Sequence, residues 1–208
     1  MADFSLSCRL CPRLARHLDA VRKAHPDWHA RPVGSFGPER PRLLVVGLAP
    51  GMHGANRTGR PFTGDHAGVL LYRTLHRFGW SSQAESSDAG DGLLLQDCRI
   101  TNAVRCLPPA NRPEPAEVMR CNRYLRDEIQ ALPPGAAILA LGRIAHGAVL
   151  KALGLRPSAH VFRHGARHAL QCGFRLYDSY HCSRYNTQTG RLTPAMFRKV
   201  FARIADGL

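Results

Sequence analysis

Asp65, Asn102 and His181 supply a carboxylate, a carboxamide and an imidazole, each in a segment that follows an apolar run. Such a set can orient water, read a hydrogen-bonding edge and donate to a departing group. Singly, each residue has an ordinary reading: Asp65 as the N-cap of a helix from His66, Asn102 as a loop bridge, His181 as a satisfied loop histidine. Asp65 closes GLAPGMHGANRTGRPFTGD, Gly47 to Asp65, which packs five glycines, two prolines and two arginines into nineteen residues. A surface loop is the plain reading of such a cluster. The alternative is a ligand cradle, because side chains this sparse let backbone close on a bound group at the carboxyl end of a strand.

Thiol chemistry is the second possibility. Seven cysteines stand at 8, 11, 98, 106, 121, 172 and 182, an odd number that argues against a disulfide framework. Cys8-x-x-Cys11 is a chelating pair followed by Pro12, and alone it fits zinc, an iron–sulfur cluster or redox work. No strand precedes it, which disfavours a thioredoxin-like motif.

Twenty-nine Lys and Arg against fifteen Asp and Glu give a net charge of +14. A polyanion is the favoured partner, and nucleic acid heads that list. A membrane surface ranks second, but no segment joins a strong apolar face to a continuous basic one. No apolar run is long enough to cross a bilayer, and the first twenty residues lack a signal core. The sequence therefore predicts a soluble, cytoplasmic monomer.

These residues need a scaffold. With 208 residues, 44% of them hydrophobic, the chain can bury one α/β core. Apolar runs predict strands over Leu43–Leu48, Cys98–Arg105, Ala136–Leu141 and Arg175–Tyr180. Helical spacing appears over Leu14–Lys23, His66–Trp80, Pro115–Leu132, Ile144–Leu153 and Thr193–Ile204. Val161–Gln171 has no decisive pattern. The alternation predicts one domain, residues 1–208, folded as a three-layer α/β/α sandwich around a mostly parallel sheet of about four strands. Strand carboxyl ends share one edge, which would bring together the Gly47–Asp65 loop, Thr101-Asn102 and Ser179–Gly190.

GLAPGMHGANRTGRPFTGD, ITNAVRC (Ile100–Cys106) and YHCSRYNTQTG (Tyr180–Gly190) resemble the uracil-DNA glycosylases, in particular the iron–sulfur-containing family 5 branch. The resemblance spans nearly the whole chain. It implies hydrolysis of the N-glycosidic bond of uracil in DNA, leaving an abasic site. By resemblance Phe62 stacks on the base, Asn102 reads its Watson–Crick edge, His181 donates to a base oxygen and Asp65 positions water. Backbone around Ala49, Pro50 and Gly51 would touch base or phosphate. Arg57, Arg60 and Arg191 would meet phosphates. Ser183–Gly190 would enter the minor groove, with Arg184 and Tyr185 as the wedge and Ser183 and Asn186 beside them.

Cys8, Cys11, Cys106 and Cys121 match that family's ligands for a 4Fe-4S cluster, with zinc the main rival. Cys98, Cys172 and Cys182 read as core or loop thiols. Other branches carry a carboxylate or amide in the segment matching Gly47–Gly51, whereas this one has none. Asp65 is then the substitute for the usual water activator, and base choice should loosen towards hypoxanthine and cytosine adducts. Two rivals remain: a noncatalytic iron–sulfur nucleic-acid-binding module, and a nucleotide-phosphate enzyme. The second is weakened because Gly54–Arg60 lacks the Gly-Lys-Ser/Thr ending of a P-loop.

Overall fold

The computed structural model describes residues 4–170 and 173–208. Apolar, β-branched runs fold as strands buried on both faces, and the amphipathic segments between them cover those faces. The order is α1 (Pro12–Ala24), β1 (Leu43–Gly47), α2 (Ala55–Thr58), α3 (His66–Arg77), β2 (Cys98–Asn102), α4 (Pro115–Gln130), β3 (Ala137–Leu141), α5 (Arg143–Ala152), β4 (Arg167–Ala169), β5 (Arg175–Ser179), α6 (Arg184–Gln188) and α7 (Pro194–Ala205).

The sheet runs β2-β1-β3-β5-β4. β2, β1, β3 and β5 are parallel, with Gly47 opposite Asn102 and Leu141 opposite Ser179. Alternation sorts the side chains. Leu43, Val45, Leu139 and Tyr177 join Leu71, Leu75, Phe197 and Phe201 of α3 and α7 in one core. Leu44, Val46, Ile138 and Leu176 join Leu125, Ile129, Val149 and Leu150 of α4 and α5 in the other. A third cluster sets Leu14, Leu18 and Val21 of α1 against Val104, Leu107 and Tyr124. Helix starts follow their caps: Asp65 accepts from Gly68 N–H at 2.8 Å and Thr193 from Met196 N–H at 3.2 Å, while Glu114 and Glu117 form a capping box at the start of α4.

Three expectations need correction. The sheet has five strands, not about four, because Arg167–Ala169 pairs antiparallel with β5 inside the segment that had no decisive pattern. β2 stops at Asn102 rather than Arg105, since the Ala103 and Val104 N–H groups turn to the Gly47 and Leu48 carbonyls. The two site loops are not wholly irregular: each holds a single helical turn, α2 and α6. Cys98 and Cys182 are buried as expected, and Cys172 lies outside the described residues.

Candidate active site and thiol centre

Gly47 and Asn102 end paired strands, so the backbone sets the Asn102 carboxamide beside the first residue of the glycine-rich loop. A Cβ at Gly47 would collide with Asn102 Oδ1 and lie 2.7 Å from the Phe62 ring. Both side chains therefore fill the space that Gly47 leaves open. Phe62 is buried and holds φ at 56°, a left-handed conformation uncommon for a bulky residue. Its carbonyl occupies the position that a Cβ on Gly68 would take. Asn102 is 3% exposed, and its Oδ1 is buried with no hydrogen-bond partner.

Asp65 faces two ways. Oδ1 caps α3, while Oδ2 lies 2.5 Å from where a Gly54 Cβ would be and 3.6 Å from that of Gly51. The cap reading and the site reading thus describe different oxygens of one carboxylate. Burial raises its pKa, against the pull of the Gly68 and Ala67 N–H groups. Cys182, fully buried, feels the Asp65 charge, which together with burial pushes its thiol up.

His181 comes from the other side, two residues past the end of β5. Its ring lies 5.9 Å from that of Phe62, inclined by 26°. Its Nδ1 is buried without a partner, and burial pulls the imidazole down to about 4. The ring is neutral at pH 7. The lowered pKa weakens the fold only as pH falls from about 6.5 towards about 4. Phe62, Asn102, Asp65 and His181 come from β1's loop, β2 and β5, and they meet at the carboxyl edge of the sheet.

Ser183 caps α6, which lifts Arg184 and Tyr185 off the surface; Tyr185 is 70% exposed. Asn186 turns inward and donates to the His181 carbonyl at 2.8 Å, so its amide is engaged within the protein. The Arg191 guanidinium lies 4.7 Å over the Tyr180 ring, and Arg57 stays exposed while donating to the His53 carbonyl. Ala49 and Gly51 are partly exposed on the loop and Pro50 is buried.

Arg60 is a correction. It is 5% exposed, pairs with Asp91 at 2.5 Å, and donates to Thr63 and Ser86. Burial opposes ionisation of Asp91, but Arg60 and two backbone N–H groups outweigh it and hold the carboxyl below its usual range. The residue braces the loop, its guanidinium engaged within the protein. Arg60→Ala leaves a buried carboxylate without its ion-pair partner and should cost roughly 3–5 kcal/mol. Thermal melting should show that loss while the salt slope of DNA binding stays unchanged. A slope reduced by about 0.9 would restore Arg60 as a phosphate contact.

Cys8, Cys11, Cys106 and Cys121 line one apolar cavity with Leu14, Val104 and Tyr124. Cys11 sits at the N-cap of α1, Cys106 follows β2 and Cys121 is on α4. Arg105 N–H donates to Cys121 Sγ at 3.3 Å, and Tyr124 O–H to Cys8 Sγ at 3.5 Å. Burial pushes the Cys121 thiol up to about 11 and Cys106 further still. Among the described residues, the only group of three or more His, Cys, Asp or Glu ligand atoms all within 4.8 Å of one another is His146, His168 and Asp178. No three of the four sulfurs are that close.

Comparison with known proteins decides the family. The model of the Uracil DNA glycosylase superfamily matches residues 34–205. This chain belongs to that superfamily. Among similar proteins, a Type-5 uracil-DNA glycosylase of Thermus thermophilus is 52% identical over 200 residues, covering 93% of this chain and 90% of that one. One of Mycobacterium leprae is 46% identical, covering 93% and 88%. One of Pyrobaculum aerophilum is 42% identical, covering 96% and 88%. The superfamily span includes Asp65, Asn102 and His181, and excludes Cys8 and Cys11. Sequence reasoning missed the buried His146–Asp178–His168 group, for which a charged residue inside the strand RLYDS was the available signal.

Proposed function

We propose that this protein is a monofunctional DNA-repair glycosylase that hydrolyses the N-glycosidic bond of uracil in DNA and leaves an abasic site. The observation that carries the reading is the meeting of Phe62, Asn102, Asp65 and His181 at one sheet edge in a chain of the uracil-DNA glycosylase superfamily. Uracil presents an N3–H donor, and the unpartnered Asn102 Oδ1 is a buried acceptor for it. Phe62 offers a ring face for the flipped base. As the glycosidic bond stretches, negative charge grows on the base oxygens and positive charge on the sugar. Neutral His181 donates an N–H to a base oxygen, and the Asp65 carboxylate holds water and offsets the sugar's charge.

Asp65→Asn keeps the shape and the cap-accepting oxygen but loses the charge. Single-turnover release from a uracil oligonucleotide, followed as abasic sites, should fall by about 10²–10³. A wild-type rate would leave Asp65 as a helix cap only. Salt-sensitive DNA binding with no base release by the wild-type protein would instead favour the noncatalytic module. Gly47–Gly51 carries no polar side chain to police the base edge. Hypoxanthine and cytosine adducts are accordingly proposed as further substrates, and Arg57, Arg184, Tyr185 and Arg191 as DNA contacts.

A 4Fe-4S cluster is the proposed occupant of the thiol centre. A tetrahedral zinc with bonds of about 2.3 Å needs four sulfurs about 3.8 Å apart, and no three of these lie within 4.8 Å of one another. The N–H and O–H donors to Cys121 and Cys8 suit iron–sulfur ligands. When bound, the cluster would supply a cross-link between the start of α1, the segment after β2, and α4. Hydrolysis needs no net electron transfer, so the cluster takes no part in the chemical step.

A further inference from the structure

Asp178 is fully buried near the end of β5, three residues before His181. Its Oδ1 pairs with His146 Nδ1 at 2.7 Å, and its Oδ2 with His168 Nε2 at 3.0 Å. His146 Nε2 lies 2.8 Å from the His160 carbonyl. A carbonyl only accepts, so Nε2 carries hydrogen. A carboxylate receiving His168 and the Arg163 N–H as well is an acceptor too, so Nδ1 also carries hydrogen. These bonds are complete only with His146 as an imidazolium. His164 has the opposite requirement. The Tyr180 N–H donates to its Nδ1 at 3.2 Å, which needs a bare nitrogen, and its ring stacks on Tyr180 at 5.0 Å.

Both histidines hold the backbone that delivers His181. Gly142, at the start of α5, donates to the Ser179 carbonyl at 2.8 Å, and a Cβ there would lie 3.6 Å from the His181 Cβ. Gly165 N–H donates to the Asp178 carbonyl at 2.8 Å, tying the His164 segment to β5.

We infer that His146 and His164 are a paired positioning device for His181, which is in register only while the first is charged and the second neutral. The inference rests on the catalytic reading of His181. His146 faces Asp178 from β5, His168 from β4, His160 from the preceding loop and Arg143 from its own helix. Burial opposes its charge, but the Asp178 carboxylate and the His160 carbonyl outweigh that and raise its pKa. His164 faces Ser179 and Tyr180, whose ring also carries Arg191, and burial lowers its pKa. The sign follows. Support from His146 is present at low pH and lost as pH rises through its raised pKa. Support from His164 is present at high pH and lost as pH falls through its lowered one.

Long-range proton–nitrogen NMR of histidine-labelled protein reads the states directly. At pH 7, His146 should show two protonated nitrogens and His164 only Nε2–H, with the His181 signals shifting as either ring titrates. Neutral His146, His164 protonated at Nδ1, or His181 signals blind to both titrations would overturn the inference. These signals decide it even if the protein releases no uracil, an outcome that would sink the catalytic reading separately. In single-turnover release, Asp178→Asn should move the alkaline limb to lower pH; an unmoved limb would count against the device. His164→Ala should lose about tenfold in rate through misplacement of His181. His164→Asn, whose amide oxygen can accept from Tyr180 N–H, should restore most of it. Equal losses in the two variants would mean that the acceptor at Nδ1 does no positioning.

Discussion

His181→Ala will lower single-turnover uracil release by about 10²–10³, the usual cost of removing one preorganised donor from a dry site. The structure gives the reason for expecting a rate effect rather than a binding effect. The ring is neutral, its pKa drawn down to about 4 by burial, so it adds no charge to attract DNA. Its N–H bond strengthens only as the base oxygen gains charge, and an interaction made chiefly in the transition state lowers the rate without weakening the ground state. Affinity for uracil-containing duplex at fixed salt should therefore change by less than about threefold. Near-normal cleavage by the variant would remove the centre of the mechanism. A large fall in affinity with little change in rate would make His181 a binding residue.

Cys106→Ser or Cys121→Ser will give a colourless protein with a much lower melting temperature. Wild-type protein purified anaerobically should be brown, with a broad band near ~400 nm from thiolate-bound iron–sulfur. The proposed cluster would tie the start of α1, the segment after β2, and α4 together around the cavity that the four cysteines line. If the lost cross-link costs about 2–5 kcal/mol, like a disulfide, Tm should fall by roughly 5–20 °C. Melting curves and iron analysis on the same samples check both parts. A colourless wild-type protein with stoichiometric zinc would reject the cluster and leave the fold untouched.

The readable parts of the chain were those governed by local rules. Leu43–Val46 and Ala137–Leu141 are continuous apolar runs, and buried parallel strands demand such runs. Asp65 and Thr193 announced α3 and α7 because a cap is a short-range bond. β4 was hidden: its three residues, Arg167, His168 and Ala169, form an edge that buries too little to show alternation. Single turns such as α2 and α6 are too short for a 3.6-residue period to appear. Within the site, the motifs named Asp65, Asn102, Phe62 and His181, and all four meet. Arg60 misled because its partner Asp91 lies 31 residues away, and no local rule separates a buried arginine from a solvated one. His146 and Asp178 escaped for the same reason, being 32 residues apart.

Gly68 sits in the first turn of α3, where replacing glycine by alanine ordinarily stabilises a helix by roughly 0.5–1 kcal/mol. Thermostabilising designs take that gain routinely. Here the new methyl would occupy the place of the Phe62 carbonyl and push a residue already at φ 56° out of its conformation. The ring proposed to stack on the flipped base would move with it. Gly68→Ala is thus a substitution that any ranking by helix preference would favour and that the enzyme cannot accept: local stability is forgone so that one aromatic ring stays in place.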